Sequence, residues 1–386
     1  MNKLIITNYK GRTFSVLWDG SRIIQMQFAG KSDISVGNIY LGIVRNIVPN
    51  INAAFIEIAP GLNAFYPIPA ARKDLRVGEL IPVQVIKEAV KSKAQVVSSS
   101  FSFPGKFLVL TEDPGKVAVS SKITDNDRRH ALQQLLADKC TDFGFICRTN
   151  SRKAADEQIL AEADSLAALY ARIRGIAACR TCYSCLYEAM PAYLSLLRDT
   201  PTGEMEEILT DRADFYQEIR SYLADNQPDD VDKVRLYADK TYPLEKLYRL
   251  ERFITEATGR NVWLPSGGYL VIEPTEALTV IDVNTGKYDG NKDMEETFLK
   301  INREAAEMIA YQLRLRNISG IIIVDFIDMK SAESRLILQT EFREMLNRDP
   351  VKTVLVDCTT LNLMELTRKK IHPPIAEQLR ERGKTS

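Results

Sequence analysis

Two apolar segments in the last third of the sequence contain acidic residues at positions where a core would be expected. In LTVIDVNTGKYDG (278–290), Asp282 and Asn284 are two residues apart, so in a strand both side chains leave the same face. In GIIIVDFIDM (320–329), Asp325 follows four consecutive apolar residues, and Asp328 follows three residues later. Carboxylates within apolar strands are unfavourable unless they are paired or bound to a cation.

These side chains are suited to holding a metal ion. Two neighbouring carboxylates repel each other, and one would be protonated unless a cation neutralised both. Oxygen ligands favour a hard ion such as Mg²⁺ over zinc, and such an ion can activate water for phosphodiester hydrolysis. The alternative is that each aspartate pairs with an arginine or caps a loop, and the residues alone do not decide between the two.

For the acidic residues to meet, the strands that carry them must be neighbours. Residues 293–316 have helical periodicity and lie between the two segments. A strand, a helix and a second strand predict a right-handed crossover, which would bring Asp282 and Asp325 together near the strand ends. Beyond them we expect a helix over 331–347, a strand in VKTVLVDC, and a last helix from about residue 362.

The first hundred residues are rich in predicted strands. About five strands over 36–99, with glycines at the bends, indicate a small barrel of the OB type. Phe55 and Phe65 flank a Gly-containing turn, and on an exposed face they could stack bases while Lys91 and Lys93 meet phosphates. The competing interpretation buries both phenylalanines in the core, and the sequence alone favours it.

Two further motifs contain residues that bind phosphate or metal in other proteins. CRT ends a predicted strand with Arg148, whose planar fork suits a terminal phosphate, although an ordinary exposed arginine is the simpler interpretation. CRTCYSC gives Cys179, Cys182 and Cys185 the C-x2-C-x2-C spacing of zinc or iron–sulfur ligands. A fourth ligand is missing locally, so a structural role is the favoured interpretation of the three cysteines.

The bulk composition sets limits on the class of protein. The 386 residues suggest about two to four domains. Lys plus Arg and Asp plus Glu both number 51, so an anionic partner would have to be held by local patches rather than by net charge. The N-terminus does not resemble a signal peptide and no run approaches the ~18 apolar residues of a membrane span, which predicts a cytoplasmic protein with its six cysteines as thiols.

Several long stretches together resemble the ribonuclease E/G family of bacterial endoribonucleases. The likeness runs from about residue 36 to about residue 372. LPSGGYLVIEPTEALTVIDVN (264–284) resembles the segment that leads into the catalytic residues of that family. EETFLKINREAAEMIAYQLRLRNISGIIIVDFIDM (295–329) resembles its long helix and second catalytic strand.

The resemblance implies an α/β fold (α+β multidomain) with an RNase H-like part split around an OB-fold barrel and a 5′-sensor, followed by a DNase I-like catalytic part. The implied boundaries are, in chain order, 1–35 and 194–257 for the two RNase H-like segments, 36–99 for the barrel, 100–193 for the sensor and 258–386 for the catalytic part. The lone N-terminal strands would then return to pair with residues near 194–257.

The resemblance also implies roles for individual residues. Asp282 and Asp325 match the two aspartates that hold the catalytic Mg²⁺, and Asn284 matches the asparagine beside them. The positions that match RNA contacts of the OB module are Phe55, Phe65 and Lys93. The positions that match the 5′-monophosphate pocket are Gly105, Val109, Arg148 and Thr149.

The expected activity is Mg²⁺-dependent cleavage of single-stranded RNA, in rRNA or mRNA processing or decay, leaving a 5′-phosphate and a 3′-hydroxyl. His130 and His372 are the only histidines, and neither lies in a stretch that looks catalytic. Two rival hypotheses are a non-catalytic RNA-binding protein that uses the barrel, and a metal–sulfur protein centred on the three close cysteines. Neither rival requires Asp282, Asn284 and Asp325 together.

The sequence departs from the family pattern in two places. The 386 residues contain no counterpart of the cysteine-rich zinc link and small dimerisation domain of relatives, so we do not expect the zinc-linked dimer, while zinc binding and a homo-oligomer of another kind stay open. Ser121 occupies a position that is basic in relatives, which predicts a weaker RNA contact there.

Overall fold

The computed structural model places most of the chain in two compact units of mixed α/β structure. One unit combines Met1–Ala29 with Thr202–Ser386, and the other is Gly30–Pro201. Lys91 and Lys93, expected to contact phosphates, lie outside the described residues. The residues that the structure describes are 2–29, 34–72, 74–88, 94–200, 204–239, 241–286 and 294–380.

The described residues form twenty-one strands, numbered here in chain order. Their bounds are β1 Asn2–Tyr9, β2 Arg12–Trp18, β3 Ile23–Phe28, β4 Ile39–Val48, β5 Ala53–Ala59, β6 Leu62–Pro67, β7 Leu80–Lys87, β8 Val96–Ser98, β9 Ser102–Pro104, β10 Leu108–Thr111, β11 Val117–Val119, β12 Gly144–Cys147, β13 Cys185–Tyr187, β14 Met205–Thr210, β15 Val234–Leu236, β16 Asn261–Trp263, β17 Tyr269–Pro274, β18 Leu278–Asn284, β19 Gly320–Asp325, β20 Thr353–Cys358 and β21 Met364–Arg368.

Nine α-helices occur in the same parts of the chain. Their bounds are α1 Asn126–Ala137, α2 Asp156–Ala177, α3 Ala192–Asp199, α4 Ala213–Asn226, α5 Leu244–Leu247, α6 Leu250–Thr258, α7 Met294–Leu315, α8 Ala332–Asn347 and α9 Ile375–Arg380. Of the helices in the described ranges, none has the length and apolar character needed to cross a bilayer.

The first sheet joins the N-terminal strands to a much later part of the chain. Its order is β15-β14-β1-β2-β3, and β1 runs parallel to β14 with Ile5 opposite Leu209. The expected return of the N-terminal strands to residues near 194–257 is therefore observed. Phe14 and Phe28 stack in its core with ring centroids 4.3 Å apart.

The second unit contains a closed five-stranded barrel between residues 39 and 98. Its strands follow the order β4-β5-β6-β8-β7, and the pairing of β7 with β4 closes the ring. β6 and β8 are parallel, whereas the other barrel neighbours are antiparallel. A Cβ at Gly42 would lie 2.5 Å from the side chain of Ile56 and 3.0 Å from Glu57 O, so glycine is favoured at this point of β4.

A four-stranded sheet follows the barrel in the same unit. Its order is β11-β12-β10-β9, and α1 and α2 contribute to the core that covers it. Phe103, Phe145 and Leu110 are fully buried there. Its strand β12 ends immediately before Arg148, one of the residues singled out from the sequence.

The sheet that carries the acidic residues has the order β16-β17-β18-β19-β21-β20. Helices α7 and α8 pack on one face, where Ile309 and Phe342 join Ile281 and Val324 in a single buried cluster. Each fully buried side chain of this size contributes roughly 1.5–3 kcal/mol of hydrophobic free energy. The residues that alternate with this cluster along each strand face away from it.

One expectation about this sheet is wrong. Residues from about 362 were expected to form a helix, but Met364–Arg368 is β21, which pairs antiparallel with both β19 and β20. Leu366 is fully buried between them in the sheet core, and the last described helix begins only at Ile375. Pairing on both sides overrides a weak local helix preference.

β21 also carries a buried ion pair. Arg368 donates Nε–H to Asp349 Oδ2 at 2.8 Å and Nη1–H to Asn317 Oδ1 at 2.9 Å. The two charged side chains are only 2% and 6% exposed. Removing one partner of such a pair leaves an uncompensated buried charge.

We therefore expect Asp349→Ala to lower the free energy of unfolding by about 3–5 kcal/mol. Urea-induced unfolding measures the change. The matched control is Glu273→Ala, which removes the carboxylate of the exposed Arg260–Glu273 pair in the same sheet and should cost about 1 kcal/mol or less. An equal decrease in the free energy of unfolding for the two variants would show that the buried ion pair stabilises the fold no more than the exposed one.

Candidate functional site

Asp282 and Asp325 are direct cross-strand partners. β18 and β19 run parallel, as expected for a crossover through α7, and the register pairs Asp282 with Asp325. Both side chains are exposed, whereas the residues before them, Ile281 and Val324, are fully buried. Asp325 is the last residue of its strand, so the pair lies near the carboxyl edge of the sheet.

Asn284 belongs to the same site. Its Nδ2 donates a hydrogen bond to Asp282 Oδ2 at 2.8 Å, so the predicted sharing of one strand face is correct. Val283 between them points into the core on the opposite face. The amide thus holds the Asp282 carboxylate in one orientation beside Asp325.

Among the described residues, no lysine or arginine side chain offsets the negative charge of Asp325. Burial raises the pKa of Asp325 above its ordinary value, and the charges of Asp282 and Asp328 raise it further. The two carboxylates therefore favour binding of a proton or of a metal cation, because either one reduces their mutual repulsion.

The loop after β19 is fixed by a buried side chain of α7. Asn302 is fully buried; it donates to Ile327 O at 2.8 Å and accepts from Ile327 N at 3.0 Å. Further along, Asn362 Nδ2 donates to Asp328 Oδ1 at 3.1 Å. Asn302 was not among the residues predicted from the sequence, since an asparagine within a helix gives no local indication that it holds a distant loop.

The start of α7 fixes the same loop at its far end. The Glu295 carboxylate accepts hydrogen bonds from the backbone N–H groups of Lys330 and Ser331 at 3.1 and 2.8 Å. Ser331 in turn caps α8 by accepting from Ser334 N. The helix between the two strands therefore positions the loop that follows Asp325 at two points.

The turn after β18 is fixed by glycine contacts. Gly286 has a φ of +66°, and a Cβ there would lie 2.3 Å from Gly267 O. Gly267 also has a positive φ and closes the hairpin between β16 and β17. Larger residues would push this turn away from the hairpin and shift the end of β18, where Asn284 lies.

The site's donor set fits a small divalent cation. The donors are carboxylate and amide oxygens, and Mg²⁺ commonly uses one or two carboxylates and completes its shell with water and phosphate oxygens. Within the described ranges, no group of three or more His, Cys, Asp or Glu side chains is arranged to hold a metal ion. The fit to Mg²⁺ therefore depends on the Asp282–Asp325 pair and its uncompensated charge.

The cysteine motif shows no such arrangement. Cys179, Cys182 and Cys185 are free thiols, and burial raises the pKa of Cys185. Tyr183, between two of them, has a φ of +69° and donates its hydroxyl to Glu57 at 2.7 Å. This segment thus ties the chain back to the barrel through a tyrosine.

Phe55 and Phe65 lie side by side on the outside of the barrel. They are register partners on β5 and β6, with ring centroids 6.0 Å apart and an edge-to-face angle of 73°. Both are half-buried, whereas Ile56 and Tyr66 next to them are fully buried in the barrel core. The core interpretation favoured by the sequence does not hold for these two rings.

The structure also brings together the residues expected around a terminal phosphate. Arg148 donates from Nη1 to Gly105 O at 2.5 Å and to Asp199 Oδ1 at 2.8 Å. Thr149 is exposed at the start of a short 3-10 turn, 3.3 Å from the Ser120 hydroxyl. Val109 is half-buried on β10. Its partner on β12 is Ile146, which precedes Arg148 by two residues.

Two acidic partners of this group were missed from the sequence. Glu162 accepts three backbone N–H bonds, from Lys106, Phe107 and Leu108, at 2.6–2.8 Å, and burial nevertheless raises its pKa. A Cβ at Gly105 would lie 2.5 Å from the Glu162 carboxyl carbon. Both Glu162 and Asp199 are about fifty residues from their partners in the sequence, so no local pattern indicates that they come together.

Burial raises the pKa of the Asp199 carboxyl, but hydrogen bonds and charge from Arg198 and Arg148 outweigh it and leave the pKa lowered. Asp199 is therefore a firm counter-ion for Arg148. Both bonds of Arg148 use Nη1, so Nε and Nη2 are the remaining donors of its fork.

The two histidines have no part in the aspartate site. His130 is exposed on α1 in one unit. His372 lies 3.3 Å from Gln27 in the other unit, outside the described contacts of Asp282 and Asp325. The acidic site thus rests on carboxylates and an amide.

The sequence is similar to known ribonucleases over most of its length. Residues 102–371 match the model of the Ribonuclease E/G family. Ribonuclease G of Haemophilus influenzae is 32% identical over 356 residues, which cover 87% of this chain and 72% of that protein. Ribonuclease G of Escherichia coli K12 is 30% identical over 365 residues (89% and 74%), and Ribonuclease E of Nostoc sp. is 34% identical over 352 residues (87% and 51%).

The charge at Asp325 predicts a pH-dependent effect on stability. Because the pKa of Asp325 is raised in the folded state, its ionised form destabilises the fold at neutral pH, and this loss is recovered as the pH falls towards 3.8. We expect Asp325→Asn to raise the melting temperature by on the order of a few degrees at pH 7.5 in chelator. The gain should shrink as the pH falls.

Differential scanning calorimetry across pH 4–8 checks this expectation, with Glu276→Gln as the control. Glu276 is an exposed carboxylate in the turn before β18 of the same sheet. A stabilisation of the same size in Glu276→Gln, or one independent of pH in Asp325→Asn, would contradict the electrostatic explanation.

Proposed function

Because this chain belongs to the ribonuclease E/G family, we propose that it is an endoribonuclease that hydrolyses single-stranded RNA with the help of Mg²⁺. The observation that carries the proposal is the register pairing of Asp282 with Asp325, with Asn284 bonded to Asp282. RNA binding alone does not need two uncompensated carboxylates on neighbouring strands. The relatives with which it aligns carry the names Ribonuclease G and Ribonuclease E.

Asp282 and Asp325 would hold the divalent ion, and Asn284 would keep Asp282 oriented towards it. A bound Mg²⁺ supplies a Lewis acid that offsets charge on phosphate oxygens and lowers the pKa of a water ligand. In the overall reaction a water oxygen loses a proton and bonds to phosphorus, while the bond from phosphorus to the 3′-oxygen breaks and that oxygen takes up a proton. The products carry a 5′-phosphate and a 3′-hydroxyl.

The chain's own residues would prepare the site before RNA arrives. Asn302 and Glu295 hold the loop after Asp325 through backbone hydrogen bonds, so the carboxylates need not reorganise when substrate binds. The core under β18 and β19 keeps the two acids adjacent despite their repulsion.

The barrel is the proposed RNA-binding module, and we assign it to the OB type. Its closed five-stranded order, with β6 and β8 parallel, supports the assignment. Phe55 and Phe65 present a pair of partly exposed rings on which bases could stack. Lys93 remains a proposed phosphate contact outside the described residues.

We assign the remaining parts by the same family relationship. Residues 1–35 and 194–257 would form the RNase H-like part, 100–193 the 5′-sensor, and 258–386 the DNase I-like catalytic part. The pairing of β1 with β14 supports the first of these assignments, since it joins both RNase H-like segments in one sheet.

The proposed 5′-sensor is the group of Gly105, Val109, Arg148 and Thr149. Asp199 holds Arg148 in place through Nη1, which leaves the rest of the fork for a terminal phosphate. A 5′-hydroxyl end offers no charge to pair with Arg148. The arrangement therefore supports a preference for 5′-monophosphorylated RNA.

The test of the proposed function is cleavage of a 5′-monophosphorylated single-stranded RNA in Mg²⁺. We expect Asp282→Asn and Asp325→Asn each to lower kcat by on the order of 10²-fold or more, because each removes a ligand of the activating ion. Glu276→Gln should cleave like the wild type. Full cleavage by both aspartate variants would rule out the assignment, and binding without cleavage by the wild type would favour a non-catalytic RNA-binding protein.

The sensor predicts a change in end preference. Arg148→Ala should lower the ratio of kcat/KM for 5′-monophosphate over 5′-hydroxyl RNA by roughly tenfold or more, since a charge-assisted contact contributes about 1.5–3 kcal/mol. Cleavage of the 5′-hydroxyl RNA should stay unchanged, which also shows that the variant is folded. Arg152→Ala, a nearby exposed arginine, is the control, and an unchanged ratio in Arg148→Ala would argue against the sensor.

A further inference from the structure

Two aromatic side chains lie on the same sheet face as the carboxylate site and have no role in the proposed chemistry. Trp263 on β16 is 68% exposed, an unusual state for the largest apolar side chain. Its ring centroid lies 5.3 Å from that of Tyr269 on β17, with an angle of 51° between the planes. The two residues are register partners across the antiparallel pair.

Alternation along the strands fixes the face to which these rings belong. Val262 and Leu264, on either side of Trp263, both pack against the helix-covered core. Leu270, next to Tyr269, is fully buried in the same core. Trp263 and Tyr269 therefore point to the opposite face, which is also the face of Asp282, Asn284 and Asp325.

The register then connects the rings to the acids. Tyr269 is the cross-strand partner of Asn284, and Asp282 and Asp325 lie in the adjacent row. Neighbouring strands are about 4.8 Å apart and each residue advances about 3.4 Å along a strand, so Trp263 lies roughly 10 Å from Asn284 and roughly 12 Å from Asp282. A base on Trp263 would therefore belong to a nucleotide about one or two places along the RNA strand from the phosphate at the acids.

We propose that Trp263 and Tyr269 form a stacking platform for a nucleobase of the RNA whose phosphate lies at the aspartate pair. The inference rests on the proposed function and adds a base-binding subsite to it. An aromatic face accepts any base, so the platform would hold the strand in place without reading its sequence.

Fluorescence of Trp263 tests the proposal directly. The chain has two tryptophans, so Trp18→Phe leaves Trp263 as the only one. Trp18 lies on β2 of the first sheet, where its ring packs against those of Tyr248 and Phe253. Phenylalanine at this position preserves an aromatic ring. In a Trp18→Phe/Asp282→Asn protein with Mg²⁺, a single-stranded RNA decamer should quench Trp263, whereas the same decamer with abasic residues should not.

Kinetics provide the second readout. Trp263→Ala should raise KM for the decamer by about 5- to 150-fold with little change in kcat, because one stacked base contributes about 1–3 kcal/mol. Trp263→Phe should restore most of the loss. Leu336→Ala, which trims another exposed apolar side chain on α8, should leave KM unchanged.

The outcomes separate this inference from the proposed function. Cleavage by the wild type without quenching of Trp263, or with equal quenching by abasic RNA, would overturn the platform and leave the ribonuclease assignment standing. Cleavage that persists in Asp282→Asn would instead overturn the assignment. Quenching that depends on protein concentration in the absence of RNA would show that a second copy of the chain covers Trp263, which also overturns the platform.

Discussion

The site depends on two like charges being held on neighbouring parallel strands. The pairing of Asp282 with Asp325 is unfavourable by itself, and burial together with the charges of Asp282 and Asp328 raises the pKa of Asp325. What holds the carboxylates together is the apolar cluster on the other side of the same strands, where α7 and α8 cover Ile281 and Val324. The sheet thus uses hydrophobic burial on one face to offset repulsion on the other.

Helix α7 links this cluster to the geometry of the site. It makes the crossover that sets β18 and β19 parallel, and its buried Asn302 holds the backbone of Ile327 just after Asp325. Its first turn supplies Glu295, which accepts from the loop before α8. The strand end, the loop and the start of the next helix are therefore all held by hydrogen bonds to α7.

The other unit shows a different use of the same physics. In the aspartate pair, no described cationic side chain pairs with the carboxylates. In the other unit, Asp199 neutralises Arg148, and the Glu162 carboxylate accepts hydrogen bonds from the nearby backbone N–H groups. The Arg148 group is thus neutralised, with Nε and Nη2 left as donors, whereas the repulsion in the aspartate pair is relieved when a proton or a cation binds. This contrast agrees with the proposed division between sensing an RNA end and cutting the chain.

The sequence by itself determined the local features on which the site is built. Alternation in 278–284 required Asp282 and Asn284 to share a face. The continuous apolar run before Asp325 predicts a strand covered on both faces, and this is wrong in part, because β19 is buried on one face only and Ile321 on the other face is 51% exposed. The helix between them was also evident, with α7 covering 294–315 where 293–316 was expected. These features follow from periodicities of two and 3.6 residues, which are local properties of the backbone.

Only the tertiary structure decided how distant residues pair. A one-residue slip between β18 and β19 would turn Asp325 into the core, and nothing local specifies that register. The same limit explains why Met364–Arg368 is a strand rather than a helix, why Phe55 and Phe65 face outward, and why Asp199 pairs with Arg148. Each of these depends on free energy gained from residues far away in the sequence, and local preferences are too weak to oppose it.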